Sequence, residues 1–379
     1  MQYHFLLKDK NKMKRNIKAI CLALLALAGM SSCSDWTDTE IKDPTDLTTT
    51  NRDAAYYQRL KAYKASDHAV AFGWFGNWTG NGAKLENCLM GLPDSVDFVS
   101  IWGNFKNISQ DQKDDLRQVQ QLKGTKALIC FIVMDIGDQI TPEMPQSEVD
   151  KGTTWDEWRH QFWGWGSDEA SQLAATEKYA NAICDTIEKY GYDGFDLDAE
   201  PDYAQPFNTN KELWRNDAVM DHFVETISKR IGPASGTDKM LVVDGQPERI
   251  PAKYADRFNY FILQAYASSS DRGLDSRVAM QYDHYKDVLS AQQLAKKIIV
   301  CENFESYASN GGVSYTLNDG TTVPSLLGMA YWNPTIDGVQ YRKGGVGSYH
   351  MEYEYSLAGI VNTYPYLRKA ISIMNPVIK

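Results

Sequence analysis

The segment Asp193 to Glu200, DGFDLDAE, constrains the fold more than any other stretch of the chain. Phe195, Leu197 and Ala199 alternate there with Asp196, Asp198 and Glu200. In a β-strand, alternate residues point to the same face. One face of this strand is apolar and ready to be covered by helices, while the other carries three carboxylates in a row. Such a strand needs a packed layer on one side and an enclosed polar space on the other. A solvated acidic strand end or a calcium site is the alternative, and the regular alternation of Phe and Leu with the acids disfavours it. Like charges this close do not all ionise cheaply, so at least one of the three is expected to hold its proton near neutral pH.

The rest of the chain alternates strand-like and helix-like segments. Apolar runs at 69–75, 96–102, 126–134, 240–244, 258–266, 298–303 and 345–351 read as strands beside the acidic one. Helical patterns fall between them at 54–65, 85–90, 111–122, 168–190, 212–230, 276–294, 324–332 and 357–374. Ser167 is a good N-cap for the fourth of these, and Gly191 a C-terminal stop. A long polar and aromatic loop separates the third strand from that helix. Eight strands alternating with helices predict an α/β chain folded as a (β/α)₈ TIM barrel over residues 53–379. A doubly wound sheet is the structural alternative, but no Gly-rich phosphate loop follows the first strand.

The barrel reading orders the acids by depth. Catalytic groups in such barrels sit at the C-terminal ends of the strands. Glu200 should lie nearest the open face, with Asp198 ~6.6 Å deeper and Asp196 deeper again. The deepest acid is the most desolvated, and a proton shared between Asp196 and Asp198 would relieve that cost. Asp193 precedes the strand proper and is expected to fix the turn from the helix. The sequence has 43% hydrophobic residues in 379, enough for one sizeable core. Its net charge of −10 leaves no basic patch to neutralise phosphates, which excludes nucleic acid as a partner.

A proton held on one carboxyl beside an ionised one is what glycosidic bond cleavage requires. DGFDLDAE resembles the DxxDxDxE signature of glycoside hydrolase family 18, with Asp193, Asp196, Asp198 and Glu200 in its four acidic positions. That family contains chitinases, endo-β-N-acetylglucosaminidases and binding proteins that have lost the final acid, which this chain keeps. The resemblance implies that neither carboxylate attacks the sugar. The substrate's 2-acetamido oxygen attacks its own anomeric carbon instead, giving retention and needing no metal or cofactor. Glu200 would act as acid and then base, and Asp198 would orient the acetamido N–H and stabilise the oxazolinium. Asp196 completes the catalytic set.

The segment Phe261 to Tyr266 carries a second, weaker match. Tyr266 stands where the family has a Tyr that binds the acetamido group, and Gln264 would share the same strand face. Two departures point away from chitinases. Ala267 replaces the acid that usually follows this Tyr, and 131–135 reads FIVMD where an SxGG pattern is expected. The resemblance therefore leans to an endo-β-N-acetylglucosaminidase that cleaves the GlcNAc-β1,4-GlcNAc core of N-glycans. A chitinase and a non-catalytic surface glycan-binding protein on the same barrel are the alternatives. Further sugar contacts are expected from Trp74, Trp102, Asn303 and His350, all near the open ends of strands. The loop with Trp155, Trp158, Trp163 and Trp165 is either a glycan platform or a cap over an apolar gap.

The N-terminus reads as a targeting segment. Lys14, Arg15 and Lys18 precede an apolar run from Ile20 to Met30, too short for an anchor helix. Ser31 and Ser32 then lead to Cys33, an order that resembles a bacterial lipobox with Cys33 as the lipidated residue. Residues 1–33 are thus expected to be a lipoprotein signal segment and 34–52 a tether. Asp35, Asp38 and Glu40 resemble the surface-export signal of Bacteroides-type lipoproteins. The expected location is the outer membrane, exposed at the cell surface and held there by lipid, next to a glycan-uptake system. Cys88, Cys130, Cys184 and Cys301 show no CxxC spacing and are expected to be buried thiols.

Overall fold

The computed structural model describes residues 52–203 and 211–376. Eight strands form its centre: β1 (Val70–Phe75), β2 (Phe98–Trp102), β3 (Lys126–Ile132), β4 (Gly194–Ala199), β5 (Met240–Gly245), β6 (Phe261–Leu263), β7 (Ile298–Asn303) and β8 (Gly345–Tyr349). Each pairs in parallel with the next, and β8 returns to β1, so the sheet closes on itself. This is the (β/α)₈ barrel that the alternation predicts.

The two-residue period of the strands builds two apolar layers. Inward residues such as Phe72, Phe98, Leu128, Val242, Ile262 and Ile299 fill the barrel. Outward residues such as Phe195 and Leu197 join the layer that includes Ile183 and Ile187 of the helix Glu169–Tyr190. Each is fully buried or nearly so, and burial of one such side chain contributes roughly 1.5–3 kcal/mol. Closure of the barrel depends on small residues in β8. A Cβ on Gly345 would stand 2.2 Å from the Val70 carbonyl oxygen, and one on Gly347 2.7 Å from the Phe72 ring and carbonyl.

Several boundaries differ from the sequence reading. The sixth strand is three residues long, because 252–257 winds into a 3₁₀ turn and the chain turns again after Leu263, where Ala265 N–H donates to the Leu263 carbonyl at 2.7 Å. Gln264 and Tyr266 therefore stand on a turn above β6 and not on the strand. The third strand ends at Ile132, since the N–H groups of Met134 and Asp135 are taken by the Asp138 carboxylate. The helix expected over 276–294 is two, Asp271–Tyr285 and Ala291–Lys297, the second begun by a Ser290–Gln293 capping box. The closing helix starts only at Pro365, whose fixed φ suits a first helical position. The expected loop before the long helix contains Trp155–Trp163, a helix with its own capping box at Thr154 and Glu157. Two small hairpins, Ser314–Thr316 with Thr322–Pro324 and Thr335–Ile336 with Val339–Gln340, had no counterpart in the reading.

Cys88, Cys130, Cys184 and Cys301 are buried free thiols. The signal segment, Cys33 and the tether to residue 51 lie outside the described residues. No helix among the described residues is long and apolar enough to cross a membrane.

Candidate active site

The site begins with the fixing of β4. The Asp193 carboxylate accepts from Ala127 N–H and from Gln120 Nε2, both at 2.8 Å, which ties the start of β4 to β3. From that anchor, residues 196, 198 and 200 point into the barrel. Asp196 is fully buried, Asp198 is 4% exposed, and Glu200 lies one residue past the strand end, half-buried.

Asp196 forms the floor. Its Oδ2 accepts from Trp74 Nε1 of β1 at 3.0 Å and from Ser100 Oγ of β2 at 2.6 Å. Burial pushes its pKa up to about 6, opposed by hydrogen bonds from Ser100, Asp244, Cys130 and Trp74 that favour the ionised form. Asp198 is raised well above the ordinary carboxylate range, by burial first and then by the negative charges of Glu200 and Asp196. Its Oδ1 has no hydrogen-bond partner among the described residues.

The structure brings in a fourth acid that sequence reasoning missed. Asp244, at the end of β5, sits opposite Asp198 in the strand register and is 1% exposed. Oxygens of Asp198, Glu200 and Asp244 lie within 4.8 Å of one another, as do Asp196, Asp244 and the Cys130 sulfur. Asp196 thus has a second buried acid beside it, Asp244, in addition to Asp198, with which the sequence suggests a shared proton. The clue lay in parity, because Met240, Val242 and Asp244 share one face of an apolar strand that ends in an acid. Oxygens at such spacing are also of the kind that hard cations accept.

Gln264 links the two upper acids. Its Nε2 donates to Glu200 Oε1 at 2.7 Å and to Asp244 Oδ1 at 3.0 Å. The Tyr266 hydroxyl is pushed far up, first by burial and then by charge at Cys301, Asp244, Asp198 and Glu200, which places it among the acids.

The aromatic wall centres on Tyr349, a second residue that the sequence reading passed over. The rings of Trp74, Trp102 and Tyr266 each stand 6.2 Å from the Tyr349 ring. Tyr349 shares the inward face of β8 with Gly345 and Gly347, so parity again held the signal. His350 has a left-handed backbone, φ 52°, and its ring meets that of Tyr349 edge-on, with centroids 4.4 Å apart. Its Nδ1 lies 2.7 Å from Glu352 Oε1, and its ring stacks on Tyr353. The Asn303 side chain caps the short turn that follows it, accepting from Ser306 N–H at 3.3 Å. Trp78 is buried, and its Nε1 is held by Asp115.

Beside the acids, a cavity of about 290 Å³ runs from Trp102 and Cys130 to Met134, Asp135 and Asp138. Its outer wall is the loop after β3. Arg159 secures that loop, donating to the Ile136 carbonyl at 2.9 Å and to Glu212 Oε2 at 2.8 Å. Burial pushes Asp135, at the mouth of this cavity, up to about 7.

A sequence profile described as glycoside hydrolase family 18, BT1044-like, matches residues 37–373. The chain belongs to glycoside hydrolase family 18. It is accordingly a glycoside hydrolase. Endo-β-N-acetylglucosaminidase F2 of Elizabethkingia meningoseptica is 26% identical to this family 18 chain over 345 residues, covering 85% of the chain and 87% of that protein. A solved structure of a selenomethionine Glu-to-Gln variant of BT1044 is 34% identical, with a TM-score of 0.71 over 89% of this chain and 97% of the other. An endo-β-N-acetylglucosaminidase from Cordyceps militaris, complexed with fucosyl-N-acetylglucosamine-Asn, shares the fold. It is 19% identical, with a TM-score of 0.56 over 86% of this chain and 98% of its own.

Proposed function

We propose that this family 18 hydrolase is an endo-β-N-acetylglucosaminidase that cuts the GlcNAc-β1,4-GlcNAc core of N-glycans with retention of configuration. One observation carries the reading. Glu200 stands at the rim, held by Gln264, while one step deeper Asp198 keeps a buried oxygen without a partner among the described residues. On this reading that oxygen accepts the N–H of a 2-acetamido group. Holding the N–H turns the acetamido oxygen toward the anomeric carbon. Glu200 gives its proton to the leaving glycosidic oxygen as the acetamido oxygen bonds to that carbon. The resulting oxazolinium carries a positive charge, which Asp198 offsets. Glu200, now ionised, takes a proton from water, and the water oxygen opens the oxazolinium ring from the face the leaving group vacated. Two displacements at one carbon return the β configuration.

The N-glycan assignment draws support from the likeness to endo-β-N-acetylglucosaminidase F2. It draws more from Ala267 and the FIVMD segment, where a chitin-cleaving relative would carry an acid and an SxGG pattern. The lipobox-like order at Cys33 supports a lipid-anchored enzyme on the outer membrane surface, where glycoproteins reach it and released glycans pass to an uptake system.

The test is to incubate the protein with a high-mannose glycoprotein, a complex-type glycoprotein and chitin oligomers, and to weigh the products by mass spectrometry. The expected result is release of glycans with one GlcNAc left on Asn. Cleavage of chitin oligomers alone overturns the substrate assignment. Glycan binding without any cleavage replaces the enzyme with a binding protein.

A further inference from the structure

Asp244 is a buried carboxyl at the centre of the site, and the reaction just described gives it no task. It faces Cys130 of β3, whose sulfur is 3.8 Å from its Oδ2. From β4 it meets Asp196, Asp198 and Glu200, from the turn after β6 Gln264 and Tyr266, and from β7 Cys301. No ion pair among the described residues reaches any of these four acids. A further negative charge in that space would be buried without a countercharge, which is strongly unfavourable. A protonated carboxyl avoids that penalty and gains an O–H donor.

The unsatisfied atoms show where that donor is needed. Asp196 Oδ1 is buried and finds no donor among the described groups, although Asp196 and Asp244 stand within hydrogen-bonding reach. Gln264 supplies the complementary fact. Both hydrogens of its Nε2 are directed at carboxyl oxygens, one on Glu200 and one on Asp244. Its amide is thereby oriented with nitrogen inward, leaving its carbonyl oxygen for a substrate N–H or O–H.

We propose that Asp244 is a positioning residue of this site, a neutral carboxyl that donates to Asp196 and anchors the Gln264 amide that holds Glu200. With Asp196 served from β5, Asp198 has no need to turn back toward the floor. Its free oxygen is then left for the acetamido group of the substrate. The consequence for catalysis rests on the hydrolase reading above; the protonation of Asp244 does not.

Carbon-13 NMR of the full chain, labelled at the Asp carboxyl carbon, tests the proton directly. The resonance that disappears in Asp244→Asn identifies Asp244, and it should sit at the neutral-acid position at pH 7. A carboxylate position there overturns the proposal. Kinetics on a glycoprotein substrate test the positioning role. Asp244→Asn, whose amide N–H still reaches Asp196, should lower kcat about tenfold with little change in KM. Asp244→Ala should lower kcat at least about tenfold further. The wild-type alkaline limb should include the ionisation of Asp244, and in Asp244→Asn that limb should change in shape and position, leaving only the loss of the Glu200 proton. Wild-type kcat and an unchanged pH profile in both variants would make Asp244 a filler and overturn the proposal. If Asp244→Ala does not fold, Asp244→Asn still decides. A wild type that cuts no glycoprotein defeats the hydrolase reading, and the NMR position then decides Asp244 alone.

Discussion

In the proposed mechanism Glu200 and Asp198 divide the chemistry because their surroundings differ. Glu200 sits at the rim on a Gln264 hydrogen bond, while Asp198 lies deeper with one oxygen unpartnered among the described residues. Glu200→Gln should lower kcat roughly 10²–10⁴-fold, the range for a lost general acid, and leave binding of a thiazoline mimic of the oxazolinium intact by calorimetry. Asp198→Asn should also be severely slowed and, unlike Glu200→Gln, should bind that mimic more weakly. Ser100→Ala removes the shorter of the two hydrogen bonds that Asp196 Oδ2 accepts from Trp74 and Ser100, which favour its ionised form. Its expected effect is a loss of about tenfold in kcat and an acid limb of the pH profile moved to higher pH, because Asp196 then holds its proton more tightly. At this scale the three acids on β4 were legible, since an alternating pattern reports itself. Asp244 and Tyr349 were not read, because each is the only chemistry-bearing side chain on the inward face of its own strand. Only the pairing of β5 with β4, and of β8 with β1, gives them meaning.

Elements rather than single residues set the shape around the acids. The loop after β3 and the turn Glu212–Trp214 are joined through Arg159, which is 2% exposed and paired with Glu212. Arg159→Ala leaves the buried Glu212 carboxylate without its strongest partner. The expected loss is about 3–5 kcal/mol in chemical denaturation. A second element-scale prediction concerns the helix Pro365–Met374. Its first N–H groups, from Tyr366 and Leu367, are accepted by the fully buried Glu354. Burial pushes Glu354 up to about 8, against those hydrogen bonds. A carboxyl raised in the folded state binds its proton more tightly there than in the unfolded chain. Its stabilisation is complete below the ordinary value of ~4.3 and is lost as pH rises through about 8. Melting temperature should thus decline across that window in the wild type. The decline should be smaller, by the order of a few °C, in Glu354→Gln, which keeps an acceptor but does not titrate. Element existence was legible from periodicity, and element ends were not. The reading extended the sixth strand from 258 to 266 because its residues are apolar and aromatic, whereas the Asn259 side chain and the turn at Ala265 limit it to three residues.

At the scale of the whole molecule, the alternation of strands and helices was enough for the barrel, because parallel strands joined by helical crossovers have few ways to bury both faces. What the alternation does not contain is how β8 meets β1. That closure rests on the absence of side chains at Gly345 and Gly347. The anchor belongs to this scale as well. If Cys33 carries lipid, Cys33→Ala should move the protein from the membrane fraction to the soluble or secreted fraction, and unchanged retention on fractionation would refute the anchor. The barrel places the acids at one open end, and the central claim is that they make the substrate's own acetamido group the nucleophile. Proton NMR of the anomeric region, followed from the first turnovers on an N-glycosylated glycoprotein, tests that claim most directly. The reducing GlcNAc of the released glycan should appear first as the β anomer and only later equilibrate. Initial appearance of the α anomer would contradict that claim.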